Sequence, residues 1–236
     1  MNKREIKQLS WLSEEWLSGP IRGVVTSFAG LGYAEMKYLP TTEELGWARA
    51  EGLVVFPYYG PWCWMNRNAR AFVDDLVDSI YKEYGLSDDV PLISTGGSMG
   101  GLSSLLFARY SRRPVKACLA VCPVCDPRAS FNERPDVPRT ILYAFRGYPE
   151  DLDSIFREHS PLEQVGDMPD IPYLLIHGFE DVAVAKRLHS DLMVAAMRAR
   201  GMEVEYLEVP GMGHGGPMPV EVMERQVDFV NSFLEA

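Results

Sequence analysis

"STGGSMGGLSSLLF", residues 94–107, is the stretch that decides the fold. Four glycines surround Ser98, directly after the apolar run "VPLIS" and directly before a helical pattern. Glycine costs backbone entropy on folding, so a chain places it where a side chain does not fit. Gly96-Gly97-Ser98-Met99-Gly100 matches G-x-S-x-G, a sharp strand-to-helix turn with a strained serine at its apex. Gly96 and Gly100 let strand and helix approach closely. The serine hydroxyl then projects from the sheet, beside helix N-terminal amides that face developing negative charge. A structural glycine-rich turn is the alternative, and the surrounding pattern discriminates between the two.

That pattern is an alternation of strands and helices. "GPIRGVVTSF" reads as a strand, followed by the loop "AGLGY". "TTEELGWARAEG" carries helix signals, with Glu44 as the capping-box partner of a threonine and Gly52 at the end. "LVVFP" suits a buried strand, and residues 68–84 repeat apolar positions at i, i+3, i+4 and i+7. Further strands follow at "VPLIS", "VKACLAV", "IPYLLI" and, nearer an edge, "VEYLEV". Helices are expected after the serine, at about 183–200 and at 219–235, with residues 1–18 as an amphipathic lead-in helix. About six alternations predict an α/β fold, a mostly parallel sheet of about six strands with helices on both faces. Residues 122–170 interrupt the rhythm with prolines, aromatics and mixed charges, and read as a cap or lid insertion in a single domain spanning 1–236.

Composition narrows the function classes. The chain has 236 residues, 47% of them apolar, enough for a large core. A formal net charge of −10 argues against a nucleic-acid partner, which demands a basic face. No apolar stretch has the length of a membrane span, and the N-terminus lacks the apolar core of a signal peptide, so a cytoplasmic location and no membrane partner are expected. Cys118, Cys122 and Cys125 fall in "CLAVCPVC", a C-x3-C-x2-C spacing similar to that of radical S-adenosylmethionine enzymes. A cluster loop has to be accessible, whereas Cys118 lies inside a strand, and free cysteine commonly packs as a small apolar residue. No metal and no cofactor is therefore expected. No P-loop or G-x-G-x-x-G opens a helix.

A serine hydroxyl is a weak nucleophile without a base, and the base needs orienting. Of the four histidines, His214 in "VPGMGHGGP" follows the last strand and can reach over the strand ends to Ser98. Asp181 in "IPYLLIHGFEDVAV" is the preferred third group, with Glu180 and Asp126 as rivals. An oxyanion would need two backbone donors, Met99 after the serine and Leu31 in "SFAGLGY". Tyr58, Tyr59, Trp62 and Trp64 in "PYYGPWCWMN" follow a strand end and read as an aromatic pocket, to which the lid adds Phe131, Tyr143, Phe145, Tyr148 and Phe156. Packing of cap on body is the competing reading for each.

Together "GGSMGG", "IHGFED" and "GMGHGG" resemble the nucleophile, acid and histidine loops of the α/β-hydrolase superfamily, from about residue 20 to the end. "AGLG" resembles its H-G-x-G oxyanion loop with Ala29 in place of histidine, and "HSPLEQV" resembles a stretch of prolyl-oligopeptidase-like and esterase-like members. The resemblance implies that the opening hairpin strands of the fold are absent and that the insertion is a lid. It implies a serine hydrolase acting on a small-molecule ester or amide, with a carboxylic ester as the leading expectation. Aminopeptidase-like or acylpeptide hydrolase activity on amides is the alternative, and a non-catalytic binding protein the alternative from another class. The oligomeric state is left open.

Overall fold

Val24 and Val25 point to opposite faces of one strand, and each face has its own core. The computed structural model, which describes residues 1–235, places seven strands in one sheet: β1 Ser10–Leu12, β2 Gly23–Phe28, β3 Gly52–Pro57, β4 Leu92–Gly97, β5 Val115–Val121, β6 Tyr173–Gly178 and β7 Val204–Val209. Their spatial order is β1-β3-β2-β4-β5-β6-β7. All neighbours run parallel except β1, which is antiparallel to β3. The helices are α1 Lys3–Leu9, α2 Thr42–Arg49, α3 Arg67–Glu83, α4 Met99–Tyr110, α5 Pro127–Glu133, α6 Val137–Ala144, α7 Leu152–His159, α8 Ser190–Ala199 and α9 Val220–Asn231. This is the α/β-hydrolase architecture expected from the sequence.

On one face Val24, Leu53, Leu92 and Leu175 pack against Val73, Leu76 and Ile80 of α3 and Leu102 and Leu105 of α4. On the other, Val25, Val54, Ile93 and Leu174 meet Trp47 of α2 and Phe229 and Val230 of α9. Two covered faces explain why the central strands read as continuous apolar runs. β7 lies at the sheet edge and is only partly buried along most of its length. The capping box of α2 forms as expected: the Glu44 amide donates to Thr41 Oγ1 at 3.2 Å and the Thr41 amide to Glu44 Oε2 at 2.8 Å.

Sheet order positions the site. The chain passes from β2 to β3 on one side, then crosses back to β4 on the other. Connections leaving β2 and β4 therefore diverge, opening a crevice beyond their carboxyl ends where α/β proteins bind ligands. The loop after β2 and Ser98 after β4 both border it.

Residues 122–170 carry α5, α6, α7 and a 3-10 turn at Val165–Asp167. The segment is bolted to the start of α3. Trp64 Nε1 donates to Thr140 Oγ1 at 2.9 Å, Asn66 Nδ2 to the Ala144 carbonyl at 2.9 Å, and the Arg67 amide to the Tyr148 hydroxyl at 2.7 Å. Glu158 bridges Arg67 and Arg70, at 2.5 Å to each.

Several expectations are corrected. The lead-in helix stops at Leu9, where Ser10 Oγ turns back to the Ile6 carbonyl at 2.8 Å and the chain becomes extended. Trp11 then pairs with Phe56, so an antiparallel edge strand is present where the resemblance implied none, and the sheet has seven strands rather than about six. The helix expected at 183–200 begins only at Ser190, because Asp181 captures the Ala183 and Val184 amides in a loop. His189 stands just before that helix instead of lying inside it, and its Nδ1 accepts from the Cys125 and Asp126 amides at 3.2 and 3.3 Å. The last helix ends at Asn231. Glu51, with φ of 67°, makes the left-handed turn after α2, and Gly52 already belongs to β3.

Candidate active site

The strain expected at the β4–α4 junction falls on Ser98 itself, whose φ is 59° and ψ −123°. None of the neighbouring glycines has positive φ; their role is close approach. A Cβ on Gly100 would lie 2.0 Å from the Phe28 carbonyl oxygen, and one on Gly96 2.2 Å from the Gly100 oxygen. The Ser98 amide donates to the Val121 carbonyl at 2.9 Å, and its own carbonyl accepts from Leu102 and Val124 at 3.1 Å each. Backbone bonds to two elements thus hold the apex, and the side chain is left free.

Ser98 Oγ lies 2.9 Å from His214 Nε2, although 116 residues separate them. His214 Nδ1 lies 2.7 Å from Asp181 Oδ2. Asp181 Oδ1 accepts the Ala183 amide at 2.9 Å and the Val184 amide at 2.8 Å, which leaves Oδ2 aimed at the imidazole. The Asp181 side chain is fully buried, whereas His214 is about one-quarter exposed, at 26%. Burial pushes the Asp181 carboxyl up, but hydrogen bonds from His177, His214 and the Val184 amide outweigh it and hold it well below the usual carboxylate range. A carboxylate facing Nδ1 keeps the hydrogen there, so Nε2 presents its lone pair to Ser98.

The rivals are engaged elsewhere. Asp126 caps α5 through the Arg128 amide at 2.9 Å. Glu180 Oε2 accepts the Gly211 amide at 3.0 Å, steadying the loop that leads to His214. His159, His177 and His189 are all buried. Burial, with Arg70 nearby, pushes His159 down to about 3; burial, with His177 nearby, pushes His189 down to about 4.

His177 is the residue that sequence reasoning passed over. Its Nε2 lies 2.8 Å from the Val184 carbonyl, which only accepts, so this nitrogen carries a hydrogen. The same N–H faces Asp181 Oδ2 at 3.3 Å, and Nδ1 accepts from the Ser190 hydroxyl at 2.6 Å. The one signal was its place four residues before Asp181, at a strand end.

The loop after β2 lies against the serine, since a Cβ on Gly30 would stand 3.8 Å from Ser98 Cβ. Met99 is the first residue of α4, so its N–H has no intrahelical acceptor. The Leu31 amide donates to no group among the described residues. The Gly32 amide binds the Pro61 carbonyl at 2.8 Å and the Tyr59 hydroxyl binds the Ala29 carbonyl at 3.0 Å, so segment 59–61 sets this loop's shape.

Tyr58, Tyr59, Trp62, Phe72, Tyr143 and Tyr148, together with Asn66 and Arg146, line an open cavity of about 830 Å³. Ser98 and His214 are not among its walls. Trp64 is a correction: it is 1% exposed and holds Thr140 of α6, so it fastens that helix instead of lining the pocket. Phe131 packs on Phe156, and Phe145 on His159. The cysteines of "CLAVCPVC" divide between the two cores, Cys118 and Cys125 in one and Cys122 in the other.

No curated protein sequence matches the chain. Solved structures match by fold. A Mycobacterium tuberculosis puromycin-hydrolyzing peptidase superposes with a TM-score of 0.76 at 19% identity, over 92% of this chain and 35% of that one. An uncomplexed Pyrococcus horikoshii acylaminoacyl peptidase gives 0.76 at 18% identity, over 95% and 38%. Porphyromonas gingivalis dipeptidyl peptidase 4 gives 0.72 at 14% identity, over 94% and 33%. The chain thus spans 33–38% of the length of these three structures. Among the described residues no helix is long and apolar enough to cross a membrane. The sequence profile of the prolyl oligopeptidase family matches residues 66–236, a range that takes in Ser98, Asp181 and His214; on that match the chain belongs to the prolyl oligopeptidase family.

Proposed function

We propose that this chain is a serine peptidase that cleaves an amide bond of a small acylated or aminoacylated substrate. The observation that carries the proposal is the relay from Ser98 Oγ to His214 Nε2 at 2.9 Å and from His214 Nδ1 to Asp181 at 2.7 Å, set at a strained strand-to-helix apex. His214 takes the proton of Ser98 as the hydroxyl oxygen attacks the scissile carbonyl. The amides of Met99 and Leu31 receive the oxyanion. The imidazolium, stabilised by Asp181, gives its proton to the leaving amine, and an acyl-enzyme remains. His214 then deprotonates a water that attacks the ester, and Ser98 recovers its proton as the acid departs.

Family membership and the peptidase activities for which the structural neighbours are named favour an amide over the carboxylic ester that the sequence first suggested. Tyr58, Tyr59 and Trp62 offer an aromatic wall next to the oxyanion loop, suited to a ring-bearing or apolar group of the substrate. The test sets aminoacyl and N-acyl-aminoacyl p-nitroanilides beside short and long p-nitrophenyl esters. Amide turnover that disappears in Ser98→Ala, with the circular dichroism of the fold retained, is the expected result. Turnover of esters without any amide restores the ester reading. No turnover and no fluorophosphonate labelling of Ser98 leaves a binding protein.

A further inference from the structure

Beyond hydrolysis, we propose that Cys122, Asp181 and His214 form a binding site for a thiophilic divalent cation, zinc or cadmium, whose occupation switches the serine off. One donor atom from each of the three side chains, the Cys122 sulfur, an Asp181 carboxylate oxygen and a His214 ring nitrogen, lies within 4.8 Å of the other two. Cys122 is brought there by the backbone. It follows β5 with φ of 44°, and its amide donates to the Ile176 carbonyl at 2.7 Å. That bend turns its thiol toward the acid loop, on the sheet face opposite Cys118 and Cys125.

Thiolate, imidazole and carboxylate form a donor set that suits zinc, at roughly 2.3, 2.0 and 2.1 Å respectively. Tetrahedral coordination at those lengths separates ligand atoms by about 3.3–3.6 Å. The Asp181–His214 pair, now at 2.7 Å, has to open by several tenths of an ångström to admit the ion. The route in is the partly exposed His214 loop, in which Gly213, Gly215 and Gly216 neighbour the histidine along the chain. Asp181 Oδ1 stays with its two amides, and Oδ2, the oxygen left for the metal, keeps only the longer contact of 3.3 Å from the His177 N–H, whose nearer acceptor is the Val184 carbonyl at 2.8 Å.

The chemistry of inhibition follows from proton accounting. The cation binds His214 through Nδ1 and displaces the hydrogen held there, which moves to Nε2. Cys122 gives its proton to solvent. One proton leaves as one dication enters, and the thiolate and carboxylate together neutralise its charge. Nε2 then carries a hydrogen and donates to Ser98 Oγ; it has no lone pair with which to accept the serine proton. The fourth metal position remains for water.

Binding is independent of the peptidase reading, while the loss of turnover rests on it, so the experiment separates them. Cadmium is titrated into the full chain, following the ultraviolet thiolate-to-cadmium charge-transfer band, for wild type, Ser98→Ala, Cys122→Ser and His214→Gln. Wild type and Ser98→Ala are expected to bind one ion per chain with the band. Cys122→Ser is expected to lose the band, and both ligand variants to bind at least about tenfold more weakly. His214→Gln lies on a loop, so it tests the site even if the buried cysteine variant fails to fold. In parallel, zinc is expected to abolish wild-type turnover reversibly with a chelator, each variant being compared with its own metal-free rate. No band in wild type, or undiminished binding in either ligand variant, overturns the site. Stoichiometric binding with unchanged turnover overturns the switch but not the site. Absent turnover of the metal-free wild type, with cadmium binding intact, counts against the peptidase reading alone.

Discussion

Gly178 closes β6, three residues before Asp181, and its backbone is not in the left-handed region, so alanine is acceptable there on conformational grounds. The obstacle is contact. A Cβ at this position would stand 2.0 Å from the Met212 carbonyl oxygen and 2.7 Å from its carbon. Because real Cβ contacts do not fall below 3.0 Å, something has to give by at least 1.0 Å (3.0 − 2.0). The Phe179 amide binds Val209 at 3.0 Å and the Glu180 amide binds Met212 at 3.1 Å, so β6 cannot yield alone and the 209–214 loop moves with it. Met212 is two residues from His214. A displacement of about 1 Å in a catalytic group costs on the order of 100-fold in rate, or about 2.7 kcal/mol of barrier. Overpacking costs stability by about 1–3 kcal/mol, which the two cores of this chain can absorb. Gly178→Ala is therefore expected to lose on the order of 100-fold in kcat/KM on the best amide of the panel while still unfolding cooperatively in urea. Gly213→Ala is the control. Its Cβ meets only the Glu180 oxygen, at 3.7 Å, and it is expected to stay within about threefold of wild type. Retention of more than about one-third of wild-type kcat/KM by Gly178→Ala, or an equal loss in both variants, would refute the argument that contact at Met212 sets the histidine's position.

Other outcomes follow from the same geometry. Asp181→Asn turns an amide N–H₂ toward His214 Nδ1 and favours the wrong tautomer; kcat is expected to fall about 10⁴-fold with the fold unchanged, as read by steady-state kinetics and circular dichroism. His159, pushed down to about 3 from 6.5, stays neutral in the folded chain while the unfolded chain protonates it. Its contribution to stability is therefore complete above pH 6.5 and is lost as pH falls from 6.5 toward about 3, by about 1.4 kcal/mol per unit. Unfolding free energies from urea titrations at pH 7 and pH 5 should accordingly differ less in His159→Phe than in wild type, by about 2 kcal/mol, and equal pH dependence would count against a neutral buried imidazole. Trp64→Phe removes the bond to Thr140 and part of a buried ring, so its unfolding free energy should drop by about 1–3 kcal/mol.

The amino-acid sequence by itself determined the layer architecture and the apex. Continuous apolar runs alternating with 3.6-period segments leave a sheet covered on both faces as the economical solution, and glycines two positions either side of Ser98 announce a backbone approach closer than any side chain permits. Local signals also found the capping box of α2, because a cap depends on residues three apart. What local signals could not carry is anything decided by partners far along the chain. β1 is a strand because Trp11 finds Phe56, not because its three residues prefer extension. Trp64 looked like a pocket aromatic from its neighbours in sequence, yet the hydroxyl of Thr140, 76 residues away, makes it a fastener of α6. His177 reads as an ordinary strand-end residue until the Val184 carbonyl fixes its hydrogen and turns it on Asp181. The fourth neighbour of the site, Cys122, reads as a small apolar core residue. Only the left-handed bend after β5, held by a hydrogen bond to β6, brings its sulfur to the acid and the imidazole. Periodicity and turn chemistry act over a few residues, whereas a reacting constellation is assembled across the carboxyl ends of separate strands, and only the packed sheet sets those distances.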